Sequence, residues 1–110
     1  MGRKIQALMV NECKTSKAVV VVIARQHPGE SVGSWLMEGF LDRLKMIENE
    51  SISWLVVPMI NIDGVLLGNN RTGLLGYDFN RHWNADQDNV REHIFPEIMG
   101  LLNYFKRCRR

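Results

Sequence analysis

The fold of this chain is decided by the stretch AVVVVIARQHPGE at residues 18–30. Its first seven residues are apolar and mostly β-branched, which is typical of a strand buried on both faces. A second strand of the same kind is predicted over Ile52–Val57, and Pro58 ends it. Two such strands predict the centre of a sheet.

An amphipathic helix is predicted between the two strands. Ser31 occupies the position of an N-cap, and apolar residues recur at helical spacing over residues 32–47. A strand, helix and strand of this size form a βαβ unit, whose strands are parallel and whose crossover is right-handed. We therefore predict that Val19–Arg25 and Ile52–Val57 are parallel neighbours, that Val21 is shielded from solvent, and that the helix packs across both strands.

The other segments predict an α/β fold. They are a short strand over Lys4–Val10, a long loop over Asn61–Asn84 and a helix over Glu92–Tyr104. The loop is rich in Gly, Asn, Asp and Arg and has no sustained periodicity. A loop of that length inside a compact domain is usually functional or disordered.

The composition excludes several classes of protein. Hydrophobic residues make up 45% of the 110 residues, which is enough for a packed core. The net charge of +2 is too small to predict a nucleic-acid partner. No apolar run approaches the ~18 residues that a membrane span needs. Cys13 and Cys108 form no metal or redox motif, so we expect free thiols in a reducing cytoplasm.

His27 and Glu30 are candidate metal ligands at the end of the first strand. Imidazole nitrogen and carboxylate oxygen both bind zinc, at roughly 2.0–2.2 Å. Side chains alternate between the faces of a strand, but Pro28-Gly29 predicts a turn that folds Glu30 back beside His27. These four residues alone more often form a surface turn before a helix, so the metal interpretation depends on the long loop.

The long loop carries a family resemblance. The ordered motifs are His27-x-x-Glu30, Asn61-x-Asp63-Gly64-Val65, Gly68-Asn69-x-Arg71 and Asp78-x-Asn80-Arg81-x-Trp83. Together they resemble the zinc metallocarboxypeptidases, and most closely the cytosolic, Nna-like carboxypeptidases that trim glutamates from tubulin tails. One departure is Ile62, where the family usually has Pro, and we expect it to alter the local turn only. The resemblance implies an α/β/α carboxypeptidase domain with a mixed, largely parallel sheet, which acts in the cytoplasm on the C-terminal tails of peptides or proteins.

The resemblance also implies one Zn²⁺ ion. His27 and Glu30 would be its first two ligands, and Asp78 would accept the free N–H of His27 and fix its tautomer. Trp83 we expect in the core rather than on the substrate.

Three further side chains acquire roles from the same resemblance. Arg71 would polarise the scissile carbonyl and stabilise the oxyanion. Asn80 and Arg81 would bind the terminal carboxylate of the substrate, which would make the enzyme an exopeptidase. The alternative is a non-catalytic remnant that keeps this carboxylate clamp and has lost hydrolysis.

Two parts of the family's machinery have no candidate in the sequence. They are a third ligand, a His on a later strand, and a Glu that acts as general base. His82 and His93 do not follow a buried strand, and Glu92 and Glu97 have the spacing of solvated helix residues. We therefore expect residues 1–110 to be the front part of an incomplete catalytic domain that is inactive by itself.

Overall fold

A computed structural model describes residues 3–11, 16–47, 51–84 and 93–108 of the chain. Cys13 and Glu92, for which the sequence makes predictions, lie outside these ranges. The elements are the strands β1 (Leu8–Val10), β2 (Ala18–Ile23) and β3 (Ile52–Val57), the helices α1 (Val32–Leu44), α2 (Ile62–Leu66) and α3 (Pro96–Cys108), and the 3-10 helix Phe79–Arg81.

The three strands form one mixed sheet in the order β1-β3-β2. β2 pairs with β3 in parallel, with Val21 opposite Leu55, and β1 pairs with β3 antiparallel, with Met9 opposite Leu55. The predicted parallel pairing is confirmed. Because both parallel strands end at the same edge of the sheet, the segments that follow them are brought together there.

Helices pack against both faces of the sheet, and β3 contributes buried residues to the core on each face. Val56 packs with Met37 and Leu44 of α1 on one face. Leu55 and Val57 pack with Leu101 of α3 on the other. This alternation along β3 is the period of two that a strand imposes on its side chains, and it confirms the predicted α/β class.

β2 is not buried on both faces as predicted. Val19 and Val21 are 39% and 38% exposed. They share a face with Ile23, and Ile23 is the residue of β2 that packs against the cluster below α3. The prediction for Val21 is wrong because a continuous apolar run does not distinguish a central strand from an edge strand, and β2 is at an edge of this three-stranded sheet.

The other two strand predictions differ in their boundaries. β3 has the predicted bounds, whereas β1 is three residues long and begins at Leu8 rather than Lys4. β2 ends at Ile23 rather than Arg25, because Arg25 has a φ of +54° that an extended strand cannot contain.

The helices also differ from prediction at their ends. α1 stops at Leu44, three residues before Ile47, and turn hydrogen bonds continue from there. Ser31 precedes α1 as predicted, but its backbone is already helical and its hydroxyl caps no N–H. α3 runs over Pro96–Cys108 rather than Glu92–Tyr104, and a proline suits the first helical position because it has no N–H. In the described part of the chain, no helix is both long and apolar enough to cross a membrane.

The long loop contains more regular structure than its sequence predicts. Asn61 caps α2, and its side-chain oxygen accepts the N–H of Gly64 at 3.1 Å. Ile62, at the position where the resemblance expects Pro, is the first residue of this helix. A five-residue helix is too short to produce a recognisable hydrophobic period, so the sequence could not predict it.

Gly64 provides a test of this packing. A Cβ at Gly64 would lie 2.7 Å from the Thr72 carbonyl oxygen and 2.6 Å from Pro28 Cγ. We therefore expect Gly64→Ala to lower the free energy of unfolding by roughly 1–3 kcal/mol, measured by urea denaturation. The matched control is Gly100→Ala in α3, where a Cβ meets nothing within 4 Å and the change should stabilise by roughly 0.5–1 kcal/mol. Equal effects of the two changes would contradict this account of the loop.

Candidate metal and carboxylate site

The turn between His27 and Glu30 is built as its sequence predicts. The Glu30 N–H donates to the His27 carbonyl at 3.2 Å, which closes the turn around Pro28-Gly29. The Gly29 N–H donates to the Asn70 carbonyl at 2.7 Å, and a Cβ at Gly29 would lie 2.8 Å from that same oxygen. Glycine is therefore required here, because the turn is packed against the backbone of the long loop.

The His27 ring is held between two carboxylates. Its Nδ1 is 3.0 Å from Glu30 Oε1, and its Nε2 is 3.0 Å from Asp78 Oδ1. His27 is 7% exposed, so the ring is fixed in a largely buried position. The structure thus brings together His27, Glu30 and Asp78 at the carboxyl edge of the sheet.

Asp78 is fully engaged as an acceptor. Its Oδ2 accepts Arg71 Nε at 2.7 Å, and its Oδ1 accepts the Asn80 backbone N–H at 2.9 Å as well as the His27 contact. The bonded Arg71 guanidinium holds the pKa of the Asp78 carboxyl well below its usual range; partial burial opposes this, and the bonds from Asn80 and His27 add to it. An ionised carboxylate can only accept, so Nε2 of His27 carries the proton.

Glu30 is the opposite case, because its carboxylate is largely unengaged. Its side chain is 63% exposed, and within the described residues its one contact is His27 Nδ1. With the proton on Nε2, Nδ1 of a neutral ring is an acceptor, so two acceptor atoms face each other at 3.0 Å. That arrangement needs a proton or a cation between them. Two tetrahedral ligands of one zinc ion, each at roughly 2.0–2.2 Å, stand roughly 3.3–3.6 Å apart, so this pair would separate by roughly half an ångström to bind zinc.

The described residues do not complete a metal site. Among residues 3–11, 16–47, 51–84 and 93–108, no group of three or more His, Cys, Asp or Glu side chains is arranged to hold a metal. His82 is engaged elsewhere, since its ring stacks on Phe95 at a centroid distance of 4.2 Å. His93 is exposed.

The three residues predicted to bind substrate lie around Asp78, either bonded to it or close to it in the chain. Arg71 is fixed through its Nε to Asp78, and its side chain is 49% exposed. Asp78 caps the 3-10 helix that contains Asn80 and Arg81, and both of these residues are exposed. The site therefore offers exposed guanidinium and amide donors around Asp78, which contacts the His27 ring, and such donors suit a carboxylate or an oxyanion.

An aromatic cluster anchors the segment that carries these donors. Tyr77, Phe79 and His82 all contact Phe95, with ring centroids between 4.2 and 6.3 Å apart. Phe79 and Phe95 are buried. The sequence did not predict this anchor, although the alternation of aromatic and polar residues from Tyr77 to Asn80 is a usable signal. Trp83 packs against the core as predicted, and its indole N–H donates to the Gln26 side chain.

Comparison with known proteins gives a consistent result. Residues 1–97 match a family model described as zinc carboxypeptidase. The chain is 41% identical over 98 residues to cytosolic carboxypeptidase 2 of Homo sapiens, an alignment that covers 84% of this chain and 10% of that protein. It is 40% identical over 90 residues to cytosolic carboxypeptidase 4 of Mus musculus, with coverage of 76% and 8%.

Solved structures agree with the sequence matches. A metallo-carboxypeptidase from Pseudomonas aeruginosa, solved in complex with (2-guanidinoethylmercapto)succinic acid, superposes with a TM-score of 0.82 at 34% identity. One from Burkholderia cenocepacia superposes with a TM-score of 0.77 at 31% identity. Each alignment covers 96% of this chain and 29% or 30% of the solved chain. The chain thus spans roughly a tenth of these curated relatives and under a third of these solved structures.

Proposed function

The chain belongs to the zinc carboxypeptidase family, and we propose that it contributes to the active site of a zinc-dependent metallocarboxypeptidase, which removes C-terminal residues from proteins. The observation that carries this proposal is the His27 ring held between Glu30 and Asp78, with both contacts at 3.0 Å. One side of the ring is fixed by an engaged carboxylate. The other side presents a ligand pair to a cation.

His27 and Glu30 would hold the zinc ion. A zinc ion bound there supplies Lewis acidity toward the scissile carbonyl and a bound water of lowered pKa. Asp78 keeps the proton on Nε2 and so leaves Nδ1 free to bind the metal, as carboxylates next to zinc-bound histidines commonly do. The third ligand and the general base that the family resemblance requires would come from outside the described residues.

Arg71, Asn80 and Arg81 would bind the substrate. A guanidinium is always charged and can donate to two oxygens, so Arg71 suits the oxyanion that develops at the scissile carbonyl. Asn80 and Arg81 would hold the terminal carboxylate, and an enzyme that requires that group at this position cuts only at chain ends.

The substrate we propose is a glutamate-rich C-terminal tail, such as that of tubulin, cut in the cytoplasm. The motif resemblance to the cytosolic carboxypeptidases and the identity to proteins of that name support this choice. The positive charges of Arg71 and Arg81 beside the metal pair suit an acidic tail, although they recognise any terminal carboxylate.

A carboxylate-binding module without hydrolysis is the second candidate. It is favoured by one observation, namely that the described residues contain no group of three or more metal-binding side chains. Both candidates need the clamp formed by Asn80 and Arg81, and only the first needs turnover. Binding of a free C-terminus is therefore the test that they share.

We expect the chain to bind a peptide that ends in a free glutamate and not the same peptide with an amidated C-terminus. Arg81→Gln should weaken binding of the free peptide roughly 10–150-fold, because a hydrogen bond to a charged group contributes about 1.5–3 kcal/mol. The measurement is a titration followed by NMR shifts of the 3-10 helix. The matched control is Arg43→Gln on α1, which removes the same charge from an exposed site. Equal binding of the free and the amidated peptide would show that Asn80 and Arg81 do not bind a terminal carboxylate.

A further inference from the structure

Arg25, two residues before His27, has an unusual backbone conformation. Its φ is +54°, in the left-handed region that residues with long side chains rarely adopt. The other described non-glycine residue there is Asn11, with a φ of +58°, and asparagine tolerates this region. A strained arginine persists only where its surroundings fix it, and such residues concentrate at functional sites.

The backbone around Arg25 is fixed by the segment that leaves β3. The Ala24 N–H donates to the Val57 carbonyl at 3.0 Å, and the Ile60 N–H donates to the Ala24 carbonyl at 3.1 Å. The Asn61 N–H donates to the Arg25 carbonyl at 3.3 Å. These bonds continue the β2–β3 pairing past the end of the strands, and they hold the chain where it turns toward His27.

The side chain of Arg25 then closes over the turn that it precedes. Its Nε and Nη2 donate to the Pro28 carbonyl at 3.1 and 2.6 Å, and its Nη1 donates to the Ser34 hydroxyl at 2.7 Å. One guanidinium thus joins the middle of the His27–Glu30 turn to the first part of α1. A lysine has a single nitrogen and could not reproduce this fork.

We propose that Arg25 is a positioning residue of the metal site. Its left-handed backbone turns the chain out of β2, and its guanidinium holds the Pro28 carbonyl so that His27 Nδ1 and the Glu30 carboxylate face each other. Arg25 is not one of the two proposed ligands, and its guanidinium is bonded to the Pro28 carbonyl and the Ser34 hydroxyl. This inference rests on the proposed function, because it concerns the same ligand pair.

The test compares Arg25→Gln, Arg25→Lys and Arg25→Gly, with Arg43→Gln as the matched control for lost charge. Zinc affinity, measured by competition with a chromophoric chelator, should fall roughly 10–100-fold in Arg25→Gln, as is typical when a group that orients a ligand is removed. Arg25→Lys should recover part of that loss. Arg25→Gly relieves the backbone strain but lacks the guanidinium, so its thermal midpoint should exceed that of Arg25→Gln while its zinc affinity stays as low.

A second readout needs no metal. The Glu30 and Ser31 amides donate within the turn, to the His27 and Gly29 carbonyls, so Arg25→Gln should speed their hydrogen exchange and leave that of Val22 in β2 unchanged. The proposal would be overturned if the turn amides of Arg25→Gln exchanged no faster than those of Arg43→Gln. It would also be overturned if the zinc affinities of the Arg25 variants simply followed their thermal midpoints. If the unmodified chain binds no zinc, the proposed metal site is wrong. Faster hydrogen exchange of the turn amides in Arg25→Gln would then still support the role of Arg25 in the turn, and unchanged exchange would overturn it.

Discussion

His27→Ala should abolish specific zinc binding by this chain. His27 Nδ1 and the Glu30 carboxylate face each other, whereas both oxygens of Asp78 are already bonded by Arg71 and Asn80. Removal of the imidazole leaves one exposed carboxylate, which binds zinc no better than any surface acid. Isothermal titration with zinc measures the effect, and the unmodified chain should bind weakly, since two protein ligands are fewer than the three of an ordinary catalytic site.

The control for this prediction is His93→Ala. His93→Ala also removes one histidine from the chain. Because His93 is exposed and is not one of the proposed ligands, this change should leave zinc binding unchanged. Glu30→Gln should weaken binding and leave the turn intact, because the amide keeps the shape of the side chain. Undiminished zinc binding by His27→Ala would show that the metal binds elsewhere in the chain.

We expect this chain by itself, with zinc supplied, to release no glutamate from a poly-glutamate peptide. A general base alone typically contributes ~10²–10⁴-fold to such a rate, and the described residues offer no candidate beside the ligand pair. Glu97 belongs to α3, where burial and the nearby Asp63 raise the pKa of its carboxyl, and it lines a groove with Phe95 and Leu101. Binding without an activated nucleophile gives no turnover.

The positive control for that assay is a chimera. The chain would replace the equivalent part of the Pseudomonas aeruginosa metallo-carboxypeptidase, onto which 96% of it superposes, so that the partner supplies the rest of the domain. Turnover by the chimera, lost in its His27→Ala variant, would favour the enzyme over the binding module. Chelator-sensitive activity of the isolated chain would show that a third ligand and a general base lie within residues 1–110, contrary to our expectation.

The parts of the fold that were predictable are those with local signals. Ile52–Val57 has the predicted bounds because Pro58 and polar neighbours delimit it. The contact between His27 and Asp78 was predictable for a different reason. Parallel strands end at the same edge of the sheet, and the motif resemblance assigns both residues to that edge. That resemblance anticipated the contact correctly, whereas the chemical roles of these residues stay predictions.

The parts that were not predictable depend on contacts distant in the sequence. The exposure of Val21 depends on which strand occupies the edge of the sheet, and nothing in a β-branched run specifies that. The backbone of Arg25 is held by hydrogen bonds from the Ile60 and Asn61 N–H groups to the Ala24 and Arg25 carbonyls. The local sequence around Arg25 does not predict such bonds. The need for glycine at position 29 arises from the loop residue Asn70.

A zinc ion should bind between His27 Nδ1 and the Glu30 carboxylate, with Asp78 on the opposite side of the ring. The most direct measurement is a crystal structure of the zinc-soaked chain, with data collected on both sides of the zinc absorption edge. Our account predicts an anomalous peak at roughly 2.0–2.2 Å from Nδ1 of His27 and from a Glu30 oxygen. A peak between Nε2 and Asp78, or a peak bound by neither His27 nor Glu30, would contradict it.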